Sequence, residues 1–196
     1  MSTKLYDDQL VAKLKNWSQK TKIQIFGPDE TRRLFEVIAD ETEDKPIQLP
    51  IICLRRPGGY EILNMNKKPL TYDGLTKDAT VDKSLQLNAI PINIPYQLDV
   101  YTRYFEEADS YMRDIVFNII NHPTFEISIP YNNANIVHNA NIRIASNVED
   151  NSGIPERLIP GQFTRLTVNI SLDDAYLWDA RVRNNYFIDG NLNVQA

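Results

Sequence analysis

Three groupings of carboxylates have the residue types for chemistry: Asp173 and Asp174, Glu149 and Asp150, and Glu106 and Glu107 with Asp109. Paired acids can hold Mg²⁺ for phosphodiester cleavage, because a hard cation prefers oxygen ligands. With Asp99 as a third ligand, Asp173 and Asp174 would make a divalent-metal phosphodiesterase or nuclease, provided their oxygens come within ~2.0 to 2.6 Å of one ion. A plainer account covers all three groupings without a metal. Acids at a helix start complement its dipole, and acids at strand ends supply turns.

Other reaction chemistries lack their residues. Gly58-Gly59 has neither the further glycines nor the lysine of a phosphate-cradling loop, and it reads as a turn after Pro57. His122 and His138 lie in different elements, neither with an acid at ligand spacing on the same face. Cys53, the single cysteine, sits inside the apolar run Leu49 to Leu54, where a small core residue in a reducing compartment is expected. No serine occupies a Gly-x-Ser-x-Gly elbow. No enzyme activity, catalytic residue, cofactor or metal is therefore assigned.

The chain has 196 residues, with 21 Lys+Arg against 26 Asp+Glu and a formal net charge of −5. That length and a 42% hydrophobic fraction suit one globular domain, or one domain with an arm. A mild negative charge gives no long-range attraction for phosphate backbones or anionic lipid, so neither sequence-specific nucleic-acid binding nor a membrane partner is expected. The opening residues carry Asp7 and Asp8 where a signal peptide needs a basic and then an apolar stretch. No apolar run approaches the ~18 residues of a membrane span, so a soluble protein made in the cytoplasm is expected.

Periodicity supplies the elements. Leu10, Val11, Leu14 and Trp17 make one apolar stripe of a helix over about 7–20, with Asp7 and Asp8 at its start and Lys20 and Lys22 at its end. Ile23 and Ile25 alternate with polar neighbours before Gly27-Pro28, a strand; a short helix or irregular turn over 29–39 follows. Leu49 to Leu54 reads as a buried strand, and residues 64–84 as a long polar loop with room for a short strand or hairpin. From Leu85 to Tyr104, Ile90, Ile92, Ile94, Tyr96, Leu98 and Val100 recur at period two, opposite Asn93, Gln97, Asp99, Tyr101 and Arg103 on a face expected to be wet. Pro91 and Pro95 cannot donate to a ladder, so the first half of that strand is expected at an edge or at a bulge.

A second amphipathic helix runs over about 106–121 and ends at His122-Pro123. Strands over 124–130, 136–147 and 162–173 follow, with a turn-rich loop over 149–161. Strands outnumber crossover helices, which points to an α+β fold: a mainly antiparallel β-sheet flanked by two main α-helices, with an extended loop and a C-terminal arm. The domain is placed at 1–174 and the arm at 175–196.

The stretch from about Leu87 to Leu177 resembles tail terminator and neck (head-tail joining) proteins of contractile-tailed and related long-tailed bacteriophages. The resemblance lies in an ordered set: the strand from Ile90 to Arg103 and the acid-led helix with Asp109-Ser110-Tyr111-Met112-Arg113-Asp114; the strand Phe125 to Pro130 and the Asn-Ile-Arg-Ile strand at Asn141 to Ile144; the turn Ile154-Pro155-Glu156-Arg157; and the strand ending Asp173-Asp174-Ala175-Tyr176-Leu177. It implies a structural virion protein without an active site. A homohexameric ring would dock on the tail tube protein, stop tube growth and offer a surface to the neck or connector proteins, with a tail sheath as a further partner. It would be made in the host bacterial cytoplasm and end in the virion. A sheath stabiliser or another neck or baseplate subunit shares the same features.

In this reading Tyr176, Trp178, Tyr186 and Phe187 are aromatic anchors between subunits, with Arg181 and Arg183 beside them, since aromatic and arginine residues dominate buried interface centres. Arg55 and Arg56 are further cations for an acidic partner or for acids on a second copy. The alternative for Tyr176, Leu177 and Trp178 is that they fold back on their own core.

Overall fold

The computed structural model describes residues 3–18, 23–40, 48–63, 70–75, 84–131, 134–153 and 162–179. Along the chain come α1 (Lys4–Trp17), β1 (Gln24–Phe26), α2 (Pro28–Asp40), β2 (Ile51–Arg55), β3 (Glu61–Ile62) and β4 (Leu70–Leu75). Then come β5 (Ser84–Thr102), α3 (Phe105–Asn121), β6 (Thr124–Tyr131), β7 (Ala134–Ile144), β8 (Glu149–Asp150) and β9 (Thr164–Asp179). The fold is α+β, and a third helix occupies the place where a short helix or turn was expected.

Two long antiparallel strands, β5 and β9, form the spine of a single sheet in the order β1-β2-β5-β9-β7-β6. Along its other edge β5 pairs in succession with β2, β3 and β4. Among the described strands only β1 and β2 run parallel, which α2 permits by crossing between them. The first half of β5 has β4 and then β3 along one side and β9 along much of the other, so of the two expectations, an edge or a bulge, the bulge is the one present. Pro91 and Pro95 pair with Tyr176 and Ser171 of β9 and, on the other edge of β5, fall between its pairings with β2, β3 and β4; at the β-bulge between them Asn93 faces both Asp173 and Asp174 of β9. The predicted polar loop contains β4, which pairs with 84–89 as a hairpin.

The period-two apolar face of β5 meets Leu166, Val168, Ile170 and Leu172 of β9 under α1 and α3, whose inward residues are Tyr6, Leu10 and Leu14, and Ala108, Met112, Ile115 and Ile119. Buried aliphatic side chains leaving water supply most of the drive for this packing. The opposite face is not wet throughout. Ile51, Cys53 and Tyr101 are buried there with Phe26, Leu34 of α2, Leu49 and Phe163. Helix α2 starts tightly against α1: a Cβ on Gly27 would lie 3.2 Å from Val11 Cγ2. The Gly27 N–H donates to Glu30 Oε2 at 3.0 Å, the returning half of a capping box.

Candidate functional site

The sequence offers Asp99, Asp173 and Asp174 as a metal triad, and the sheet separates them. Asp99 faces Thr167 across the ladder, six residues along β9 from Asp173, about 20 Å at strand rise. Among the described residues no group of three or more His, Cys, Asp or Glu could hold a metal ion.

Asp173 and Asp174 make the bulge itself. Asp174 has φ 58°, the left-handed region that short polar residues tolerate. Its carboxylate accepts from Asn141 Nδ2 at 2.8 Å, and its carbonyl accepts from His138 Nε2 at 2.7 Å. Asp173 accepts from Arg143 Nε at 2.7 Å and Ser171 Oγ at 2.7 Å. Partial burial pushes the Asp173 carboxyl up, and these donors outweigh it, so the group titrates below the ordinary carboxylate range. The bulge also ends the β7–β9 ladder, which covers only Asn141–Ile144 of β7. Beyond it the β6–β7 hairpin and the extended part of β5–β9 form two arms that share no ladder among the described residues, with His138 and Tyr176 in edge-to-face contact at 4.9 Å between them.

Asp99 is wholly buried on the face expected to be wet. It accepts from Thr167 Oγ1 at 2.7 Å, Arg165 Nε at 3.2 Å and Gln97 Nε2 at 3.0 Å, and pairs with Arg55 Nε at 3.3 Å. Arg55 also donates to the Tyr101 hydroxyl at 2.8 Å, and the Arg165 guanidinium lies 5.4 Å from the Tyr101 ring centroid. Two guanidiniums, the buried Arg165 and the partly exposed Arg55, thus serve one buried carboxylate, which makes it a cross-strand clamp over β2, β5 and β9.

Arg56 is likewise engaged within its own chain. It donates to Thr3 Oγ1 at 2.8 Å, pairs with Asp7, and lies 5.6 Å from the Tyr96 ring centroid. The Tyr96 hydroxyl donates to Asp7 Oδ1 at 2.6 Å. Burial raises the Asp7 carboxyl above its usual value, against the opposing pull of Tyr96 and Arg56. Burial also raises the Tyr96 phenol, reinforced by the Asp7 charge. Arg55 and Arg56, expected to face an outside partner, each engage a buried carboxylate of their own fold while keeping 30% and 20% of their side chains exposed. A cleft of about 500 Å³ beside them, lined by Asp7, Asp29, Arg32, Arg55 and Arg56 among others, mixes both signs of charge.

The aromatic anchors divide. Tyr176 and Leu177 belong to β9 and pack against the core, and Ala175 is fully buried, so the sheet continues past the boundary placed at 174. Trp178 is in β9 opposite Ala89, and its side chain lies outside the described set. Arg181, Arg183, Tyr186 and Phe187 lie outside the described residues.

Sequence reasoning missed two structural groups: Asp7 and Tyr96 with Arg56, and Arg165 with Asp99 and Arg55. The available signal was the pair of charges Asp99 and Arg165 on the polar faces of two strongly alternating strands. No protein-family model matches the chain, and no curated protein matches it. Among the described residues no helix is long and apolar enough to cross a membrane.

Proposed function

We propose that this chain is a structural subunit of a long-tailed bacteriophage virion that closes the end of the tail tube as a homohexameric ring and joins the tail to the neck. The observation that carries the reading is the contiguity of the resembling segments. The strand, helix and three strands that resemble tail terminators are β5, α3, β6, β7 and β9, and α3 packs across β5, β7 and β9 as one unit. Two strand arms that share no ladder beyond the Asp173-Asp174 bulge among the described residues suit a ring subunit, which needs sheet edges to meet its neighbours.

In this reading the protein works by shape and interface chemistry, with the tail tube protein on one ring face and neck or connector proteins on the other, and with a tail sheath as a further partner. The buried clamps at Asp99 and Asp7 tie β2, β5, β9 and α1 together within each subunit. Electron microscopy of particles assembled without the gene tests it. Overlong or headless tails are the expected result, and normal attached tails would remove this protein from the neck.

A further inference from the structure

Strand β9 outlasts one of its neighbours. Strand β7 accompanies it only to Asp173, while β5 stays paired with it to Asp179, so from Asp174 onward one edge of β9 has no ladder among the described residues. An edge of this kind is a template for another strand. Alternation identifies the backbone groups that face it. The Leu63 N–H donates to the Pro91 carbonyl at 3.0 Å, so Pro91 turns that carbonyl away from its β9 partner, Tyr176. Tyr176 accordingly points both backbone groups away from β5, and Trp178, two residues on, does the same.

Side chains stand where the next strand would lie. The Tyr6 hydroxyl bonds both the N–H and the carbonyl of Tyr176, and His138 Nε2 bonds the carbonyl of Asp174. Tyr6 is 2% exposed and is placed by a helical turn that is itself pinned. Arg56 donates to Thr3 Oγ1 and pairs with Asp7, and the Tyr96 hydroxyl donates to Asp7. Phenylalanine could fill the same ring site; what the hydroxyl adds is occupation of the edge.

We propose that the first turn of α1 is a latch that closes the β9 edge against pairing with the same edge of a second copy of the chain. The ladder itself selects that partner. About a two-fold axis at Leu177, Tyr176 of each copy faces Trp178 of the other, and all four residues turn their N–H and C=O toward the facing strand. The edge is therefore complementary to itself. With the hydroxyl on Tyr176, Trp178 is the one outward-facing residue of this pair left to a partner, too little for a ladder; with the hydroxyl gone, both are available.

Full-length parent, Tyr6→Phe and Ile119→Val chains are compared below their melting temperatures by light scattering over a concentration series and by amide hydrogen exchange resolved at Trp178. Ile119→Val is a core loss that leaves the latch in place. Tyr6→Phe alone should double the parent's mass as concentration rises, and in that species the Trp178 amide should exchange about tenfold more slowly than in the parent. Doubling in Ile119→Val as well would make association a consequence of lost stability and overturn the inference. An unchanged mass in Tyr6→Phe overturns it, as does a doubled mass with Trp178 exchanging at the parent's rate. Slow exchange at Trp178 in the parent would show an edge already paired and overturns it too.

Discussion

The Tyr6 hydroxyl accepts the Tyr176 N–H at 2.8 Å and donates to the Tyr176 carbonyl at 3.2 Å, joining the first helix to the last strand across 170 positions. One side chain thus satisfies both backbone groups at the point where β9 passes its bulge and loses β7 as a neighbour. Tyr6→Phe keeps the ring and strands two backbone groups, so it should lower unfolding free energy by about 2 kcal/mol. Urea denaturation measures the loss, and a change within error would show that water replaces the hydroxyl.

Truncation sites separate core from arm. Ending the chain after Asp174 removes buried Ala175, the pairing of 175–179 with 88–92 and the Tyr6 strap, so this fragment should fail to fold cooperatively. Ending it after Asp179 should preserve the circular dichroism melt. A cooperative melt for the shorter fragment would place the boundary back at 174.

Asp99→Asn leaves the Arg165 and Arg55 guanidiniums without their shared counter-charge, with Arg165 only 7% exposed. A loss of about 3 kcal/mol is expected, because an unmatched buried charge costs more than its pair contributes. Arg165→Gln in the same chain should recover part of it. A double variant as weak as the sum of the singles would mean that the two residues do not act as a pair.

The bulge has a backbone requirement at Asp174. Its φ of 58° is strained for a β-branched side chain, so Asp174→Val should cost about 1 to 2 kcal/mol. Asp174→Gly relieves the backbone while losing the Asn141 contact and should be far milder. Equal melting temperatures for the two variants would contradict this account.

Acid should weaken the junction of the two arms. A carbonyl only accepts, so His138 Nε2 carries the proton that bonds Asp174, and burial lowers the imidazole below its ordinary 6.5. The unfolded chain then binds a proton before the folded one does; this contribution is full above pH 6.5 and is lost as pH falls toward the folded value. His138→Gln should melt with a shallower fall between pH 7.5 and 5.5 than the parent chain. Parallel curves would exclude His138 as the cause.

The sequence by itself determined the helices and strands whose apolar residues repeat cleanly. Leu10 and Leu14, Met112 and Ile115, and Ile92 to Val100 are core because their spacing leaves one face dry in any compact fold. Cys53 in the core and an α+β arrangement follow from the same local information. Tertiary structure alone decided the fate of the charges. Asp99 alternates with polar residues as a solvent-facing group would, and Arg55, Arg56 and Asp7 read as surface charges. Only the register of β2, β5 and β9 and the placing of α1 bring opposite charges from positions 7, 55, 56, 99 and 165 into contact. Strand patterns fix which face a residue takes, whereas the partner that makes burial of its charge tolerable arrives from a distant segment and leaves no local periodicity.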